Sequence, residues 1–252
     1  MAFRACGPGM LTPAPSGGGG GGDTPTTGIW SGLKVQNPQD ALTTYFPGTA
    51  LESAWTEFDN DGRQTVTIAD GTASLVTTTG TIGLFGIKAV APPDDQFSLT
   101  AQIRMSAASI NFGQMNAFIA ENLVTNPTTA NLFVFGPSQS SPSPFYAASR
   151  WTAYDTYGAG IPNQPSFRPH TTSFVRLFVD RTAFRVRTLW SVDGENWIQT
   201  VPEINFSITG VSTISSIGLV CDNRTGLSSL LASSMMRIDR SSDPFLPCGG
   251  YI

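Results

Sequence analysis

Lysine is almost missing from this chain of 252 residues: only Lys34 and Lys88 occur. Glutamate is nearly as scarce, limited to Glu52, Glu57, Glu121, Glu195 and Glu203, and His170 is the single histidine. Charged residues make up 13% of the chain, about half the roughly 25% of an ordinary globular protein. A chain so poor in Glu and Lys is neither a coiled coil nor a long helical repeat. Its 40% of hydrophobic residues separates it from disordered chains, which combine high charge with low hydropathy. Three dispersed cysteines, Cys6, Cys221 and Cys248, argue against a disulfide framework and leave their redox state open. With one histidine, a Cys/His zinc site is not expected. No apolar run approaches the roughly 18 residues of a membrane span. The opening Met1-Ala2-Phe3-Arg4-Ala5-Cys6-Gly7-Pro8 also lacks the continuous apolar core of a secretory signal.

Basic charge is short as well. Fourteen Lys and Arg stand against 18 Asp and Glu, a net charge of −4. Nucleic-acid binding needs a basic stripe to displace counterions from phosphates. The one arginine cluster, Arg176, Arg181, Arg185 and Arg187, lies in strand-like sequence and reads as solvated strand faces. No nucleic-acid partner is expected.

What fills the polar positions is Ser, Thr, Asn and Gln, the surface of an extracellular-type β protein. From about Ala50 the pattern is short strands. Phe97, Leu99, Ala101, Ile103 and Met105 alternate with Ser98, Thr100, Gln102 and Arg104, the period of a half-buried strand. Val66 and Ile68 alternate with threonines; Phe174–Asp180, Ala183–Ser191, Ile214–Val220 and Leu230–Asp239 predict further strands. Asp61-Gly62, Asp70-Gly71, Asp193-Gly194 and Thr225-Gly226 mark turns between them. Strands without intervening helices predict a two-layer sandwich. Gly136–Pro144, with three prolines, reads as a loop because proline donates no ladder hydrogen bond. Tyr157–His170 reads as a second long loop and a candidate functional surface.

The ends differ from the middle. Gly17 to Gly22 are six consecutive glycines between proline-bearing segments, the composition of flexible coil. The expected organisation is an extended arm over 1–40, a sandwich over 41–242 and a tail over 243–252.

Phe174-Val175-Arg176-Leu177-Phe178-Val179-Asp180, followed by Arg185-Val186-Arg187-Thr188-Leu189-Trp190-Ser191-Val192-Asp193-Gly194-Glu195-Asn196-Trp197, carries a resemblance. So do Leu51 with Trp55, the turns at Asp61 and Asp70, and Ile217-Gly218-Leu219. Together they resemble the concanavalin A-like lectin/glucanase (LamG-like) superfamily, especially sandwich modules appended to bacterial glycosidases. The resemblance implies an all-β, two-sheet antiparallel jelly-roll sandwich with an extended N-terminal arm. It also implies that Asp193-Gly194 occupies a φ > 0 hairpin and that Trp197 folds back onto the sheet.

Chemistry is harder to place. Glucanases of that superfamily carry alternating carboxylates on one cleft strand. Glu57-Phe58-Asp59-Asn60-Asp61 has the alternation, but Gly62 bends the chain at once, so a polar turn is the plainer reading. A calcium site near Asp59–Asp61 is left open by the same residues. His170 sits in a proline-rich loop with no Gly-x-Ser-x-Gly elbow, so no serine triad is expected. No catalytic residue, cofactor or metal is assigned. Sugar binding remains, through Trp151, Tyr154, Asp155 and Tyr157, which offer aromatic faces beside a carboxylate. The plainer reading of Trp151 and Tyr154 is sheet packing, and Trp190 and Trp197 read as core.

These features together predict a structural bacteriophage virion protein rather than an enzyme: a capsid decoration, fibre or tail-associated subunit located in the virion. Residues 1–40 and the C-terminal tail would hold other virion proteins, homo-oligomers (trimers included) would form, and a surface glycan would be the ligand. The alternative is a secreted carbohydrate-binding module of a glycosidase, and the third reading a glycoside hydrolase.

Overall fold

The computed structural model describes residues 40–58, 65–77, 83–105, 111–123, 129–140, 143–161, 172–200, 203–223 and 229–248. The arm up to residue 39, the Asp59–Asp61 stretch, His170 and residues 249–252 lie outside them. In chain order, β1 (Thr56–Phe58), β2 (Thr65–Ala69) and β3 (Thr72–Thr77) precede β4 (Gly83–Val90) and β5 (Gln96–Met105). A meander follows: β6 (Asn111–Glu121), β7 (Asn131–Ser140), β8 (Ser143–Ala153) and β9 (Thr156–Gly160). Then come β10 (Thr172–Asp180), β11 (Arg185–Ser191), β12 (Ile198–Gln199), β13 (Ile204–Asn205) and the one-turn helix α1 (Phe206–Thr209). The last strands are β14 (Ser216–Asn223) and β15 (Ser229–Asp239).

The strands form two antiparallel sheets. The first runs β1-β4-β14-β6-β7-β8-β9 and the second β12-β11-β10-β5-β15-β3-β2, with β13 paired to β11. This is the all-β jelly-roll sandwich that the sequence predicts. Between the sheets, Phe85, Ile87, Ile119, Phe133 and Phe135 of the first meet Leu99, Val175, Leu177, Val179 and Ile238 of the second. These residues recur at every second position, so the period-2 pattern sets which face is buried. Asp70 and Gly71 have φ of 50° and 72°, the two left-handed positions of a tight hairpin turn.

Three expectations give way. β5 is not half-buried: Ser98, Thr100 and Gln102 on its other face are buried too. Gly136–Pro144 is largely strand, with β7 and β8 pairing from Leu132↔Trp151 to Ser140↔Ser143. Pro137 stays in the strand through its pairing with Tyr146 of β8, while the ladder with β6 is interrupted between Gln114↔Ser138 and Ala117↔Phe135, where the proline has no N–H to give. Tyr157–Gly160, expected as loop, belongs to β9.

The first sheet is rolled. β4 and β8 are four strand steps apart in its order, about 19 Å across a flat sheet. Yet the Leu84 amide donates to the Tyr154 carbonyl at 2.7 Å, so the two ends of the sheet curl toward each other. The roll encloses a second apolar core of Phe58, Leu84, Phe118, Leu132, Val134, Trp151 and Val220. Two glycines permit the curvature. A Cβ on Gly218 would lie 2.0 Å from the Ile87 carbonyl oxygen and 2.7 Å from the Phe118 ring, and one on Gly86 2.1 Å from the Leu219 carbonyl. Backbone on a paired strand cannot step aside. Gly218→Ala is therefore expected to cost at least about 2 kcal/mol, read as a lowered urea midpoint with an unchanged slope.

Candidate functional site

The β8–β9 hairpin carries all four residues proposed from sequence for sugar binding, and it splits them. Trp151 is fully buried at 0% exposure in the second core. It cannot serve as an exposed stacking platform, because alternation along β8 turns it into the roll beside Leu132. Tyr154 and Asp155 form the hairpin turn, with the Thr156 hydroxyl donating to Asp155 Oδ1 at 2.9 Å. Tyr157 is 40% exposed, and its ring meets the Trp151 indole edge-on at 5.6 Å. What reaches solvent is thus Tyr157, braced by a buried tryptophan, with a half-buried Tyr154 and the exposed Asp155 carboxylate.

Glu57, the first of the alternating carboxylates, does not line the roll. Phe58 faces the second core, so strand alternation sends Glu57 to the opposite face, where it is exposed on edge strand β1 opposite Ile87. Asp59 and Asp61 lie outside the described residues. Among the described residues, no group of three His, Cys, Asp or Glu stands close enough to hold a metal ion. Glu121 is a fastener. Burial pushes its carboxyl up, but Asn131, the Ser212 amide and hydroxyl and the Thr213 amide outweigh that and hold it below the usual range.

The Ser191–Asn196 turn departs from the expected hairpin. Only Gly194 has positive φ, at 77°. Asp193 shapes the rest, its carboxylate accepting from the amides of Glu195 and Asn196, the Asn196 side chain and the Ser191 hydroxyl. Those bonds hold the Asp193 carboxyl well below its ordinary value, the Asn196 amide first among them. Its stabilising effect is present above the unfolded carboxyl value and is lost as pH falls toward the depressed folded one. Asp193→Asn is accordingly expected to lower the urea midpoint near neutral pH, with the difference from the parent shrinking progressively as pH falls below about 4.

Beyond this turn, Trp197 folds back as the resemblance implies, but not into the main core. Its ring lies 3.8 Å from the Arg176 guanidinium carbon, on the outer face of the second sheet. Arg176 is not a solvated strand residue; it is 0% exposed. It donates to Thr100 Oγ1 at 2.7 Å, to the Pro244 carbonyl at 3.1 Å and to the Leu246 carbonyl at 2.6 Å. Its other terminal nitrogen lies 3.4 Å from Cys248 Sγ and 3.8 Å from Asp239 Oδ2. Burial pulls the guanidinium below its ordinary value, opposed by Cys248 and Asp239. The outer face of β5 is covered from elsewhere in the chain: Arg176 reaches Thr100 and ties residues 244–248 across the sheet as a strap. The other three arginines of the cluster also have fixed partners. Arg181 donates to the carbonyls of Pro92, Asp94 and Ile214, and Arg185 and Arg187 both clasp Glu203.

Sequence reasoning missed both the second core and the strap site. The first had a signal: Ala117-Phe118-Ile119-Ala120 and Leu132-Phe133-Val134-Phe135 are unbroken apolar runs, as strands buried on both faces must be. The second had none beyond an arginine amid apolar neighbours.

Known structures share this architecture. A GH43 protein, BlXynB of Bacillus licheniformis, aligns with a TM-score of 0.59 at 11% identity, over 78% of this chain and 38% of its own. A bifunctional GH43-CE protein of Bacteroides eggerthii aligns at 0.58 with 8% identity, over 80% of this chain and 26% of its own. What is shared is the fold, a two-sheet antiparallel jelly roll. A structure from the endo-acting O-glycanases of human gut microbiota aligns at 0.54 with 14% identity, covering 79% of this chain and 98% of its own. The chain thus spans well under half of the two GH43 proteins, and identities this low speak for the jelly roll alone. No family model matches the sequence, and no curated protein matches it.

Proposed function

We propose that this jelly roll is a non-enzymatic structural subunit of a bacteriophage virion, presenting a rigid sandwich on the particle. The observation that carries this reading is the filled roll of the first sheet. Where a cleft could hold a polymer, Phe118, Leu132, Val134 and Trp151 pack against one another. Such a body is suited to being displayed rather than to turning over a substrate. Supporting features are a surface with almost no lysine and the glycine-rich segment upstream of Asp40. Asp40 itself is fixed to Arg240 at 2.5 Å. Neighbouring subunits would meet at the apolar surface around Val90 and Phe184, which are 71% and 64% exposed beside a groove of about 510 Å³.

The test has two arms. Antibody against the sandwich, applied to phage particles released from cells that encode this chain, is expected to label particles in immunogold micrographs. Assays on xylan and mucin-type glycans are expected to show no release of reducing ends. Unlabelled particles would remove the virion reading, and turnover abolished by Glu57→Gln would replace it with a hydrolase.

A second reading, glycan binding, is favoured by one observation: the exposed Tyr157 ring is braced edge-on by Trp151. Tyr157 with Asp155 would then form a shallow sugar subsite on the hairpin. Glycan-array binding lost in Tyr157→Ala would support it.

A further inference from the structure

The strap that crosses the second sheet is held in an unusual way. Outside the strap itself, its described backbone bonding to the body is one contact, the Cys248 amide donating to the Gly194 carbonyl at 3.0 Å. The rest is done by a side chain, since Arg176 takes the carbonyls of Pro244 and Leu246. Tyr45, Phe174, Met235 and Trp197 then wall the pocket that receives Cys248, which is 3% exposed. This is a site with three elements: a guanidinium that binds two carbonyls, an aromatic lid over that guanidinium, and an apolar end pocket. Nothing in it depends on the strap being joined to the same chain. The connection from β15 runs through exposed Ser242 and Asp243, shaped by local bonds from Asp243 to Ser241 and from Phe245 and Leu246 to Asp243.

We propose that this slot is a peptide-binding site whose ligand is the segment 244–248, and that it accepts this segment from a second copy of the chain as well as from its own. Exchange needs only the 241–243 connection to swing outward, and two copies exchanging straps reproduce every contact of the slot, twice. The inference stands apart from the virion reading, because it concerns only how copies of this chain join.

The test uses the full chain with a site-specific protease sequence inserted between Ser241 and Ser242, folded intact and then cut. A fluorescent peptide of residues 243–252 is expected to bind saturably as it replaces the released segment, read by anisotropy. The same peptide carrying Cys248→Trp overfills the end pocket without touching the fold of the sandwich, and is expected to bind roughly tenfold or more weakly. On the uncut chain, excess peptide is expected to speed alkylation of Cys248 in proportion to its concentration, because displacement frees the buried thiol. A cut chain that keeps its circular dichroism yet ignores the peptide would overturn the proposal. So would equal binding of the Cys248→Trp peptide, or, where the cut chain unfolds, an alkylation rate on the uncut chain indifferent to peptide.

Discussion

Arg176→Met is expected to destabilise the protein by about 3–5 kcal/mol, the cost of breaking a buried ion pair by removing one partner. Methionine is close to arginine in length, so little of that cost comes from lost volume. What is lost is the set of donors. Removing the guanidinium leaves the Pro244 and Leu246 carbonyls without their donor and Asp239 with Arg237 as its remaining ion-pair partner. It also strips the cation from beneath Trp197. For a body of this size, the fall in melting temperature would be on the order of 10 °C. Arg104→Met is the control: Arg104 sits on the same strand face pattern but is exposed, and its effect should stay within about 0.5 kcal/mol. Thermal and urea unfolding of the two variants side by side measure the difference. Equal effects would mean that the strap does not depend on Arg176.

Trp151→Ala is the second large effect. The indole is the largest of the fully buried side chains and belongs to the core enclosed by the rolled sheet. Its removal leaves a cavity among Leu132, Val134 and Phe118, and the expected loss is about 3–5 kcal/mol. Tyr157→Ala removes a ring that is 40% exposed and should cost less than about 1 kcal/mol. The pair therefore separates structure from ligand contact. If both residues formed a sugar platform, both variants would lose binding while keeping stability. With the indole buried in the roll, Trp151→Ala loses stability and Tyr157→Ala keeps it.

The parts of the fold legible in the sequence are those governed by local chemistry. Alternation in Phe97–Met105 and Phe174–Asp180 placed β5 and β10 within two residues of their ends, and Asp70-Gly71 marked its turn. What stayed hidden depends on what lies across a strand. Ser98, Thr100 and Gln102 have the composition of a solvated face, and what covers it, Arg176 with the strap that it holds, comes from elsewhere in the chain. Arg176 reads as surface for the same reason. Pro137 and Pro144 suggested a loop because a proline's cost depends on which side its missing N–H faces, and that is fixed by the neighbouring ladder. Of the four candidate sugar residues, the sequence located the hairpin correctly, but aromatic content alone could not show that Trp151 is buried in the roll while its cross-strand neighbour Tyr157 stays exposed on β9. Glu57 failed as a cleft carboxylate by parity, since Phe58 beside it takes the rolled face.

Hydrogen–deuterium exchange of the full chain, with and without xylan-derived and mucin-type oligosaccharides, tests the filled roll most directly. A filled roll predicts that the amides of β6, β7 and β8 exchange only with global unfolding, at rates the sugars leave unchanged. Fast exchange in Phe118–Ala120 and Leu132–Val134, slowed when an oligosaccharide is added, would contradict it and put an open, ligand-filled cleft in its place.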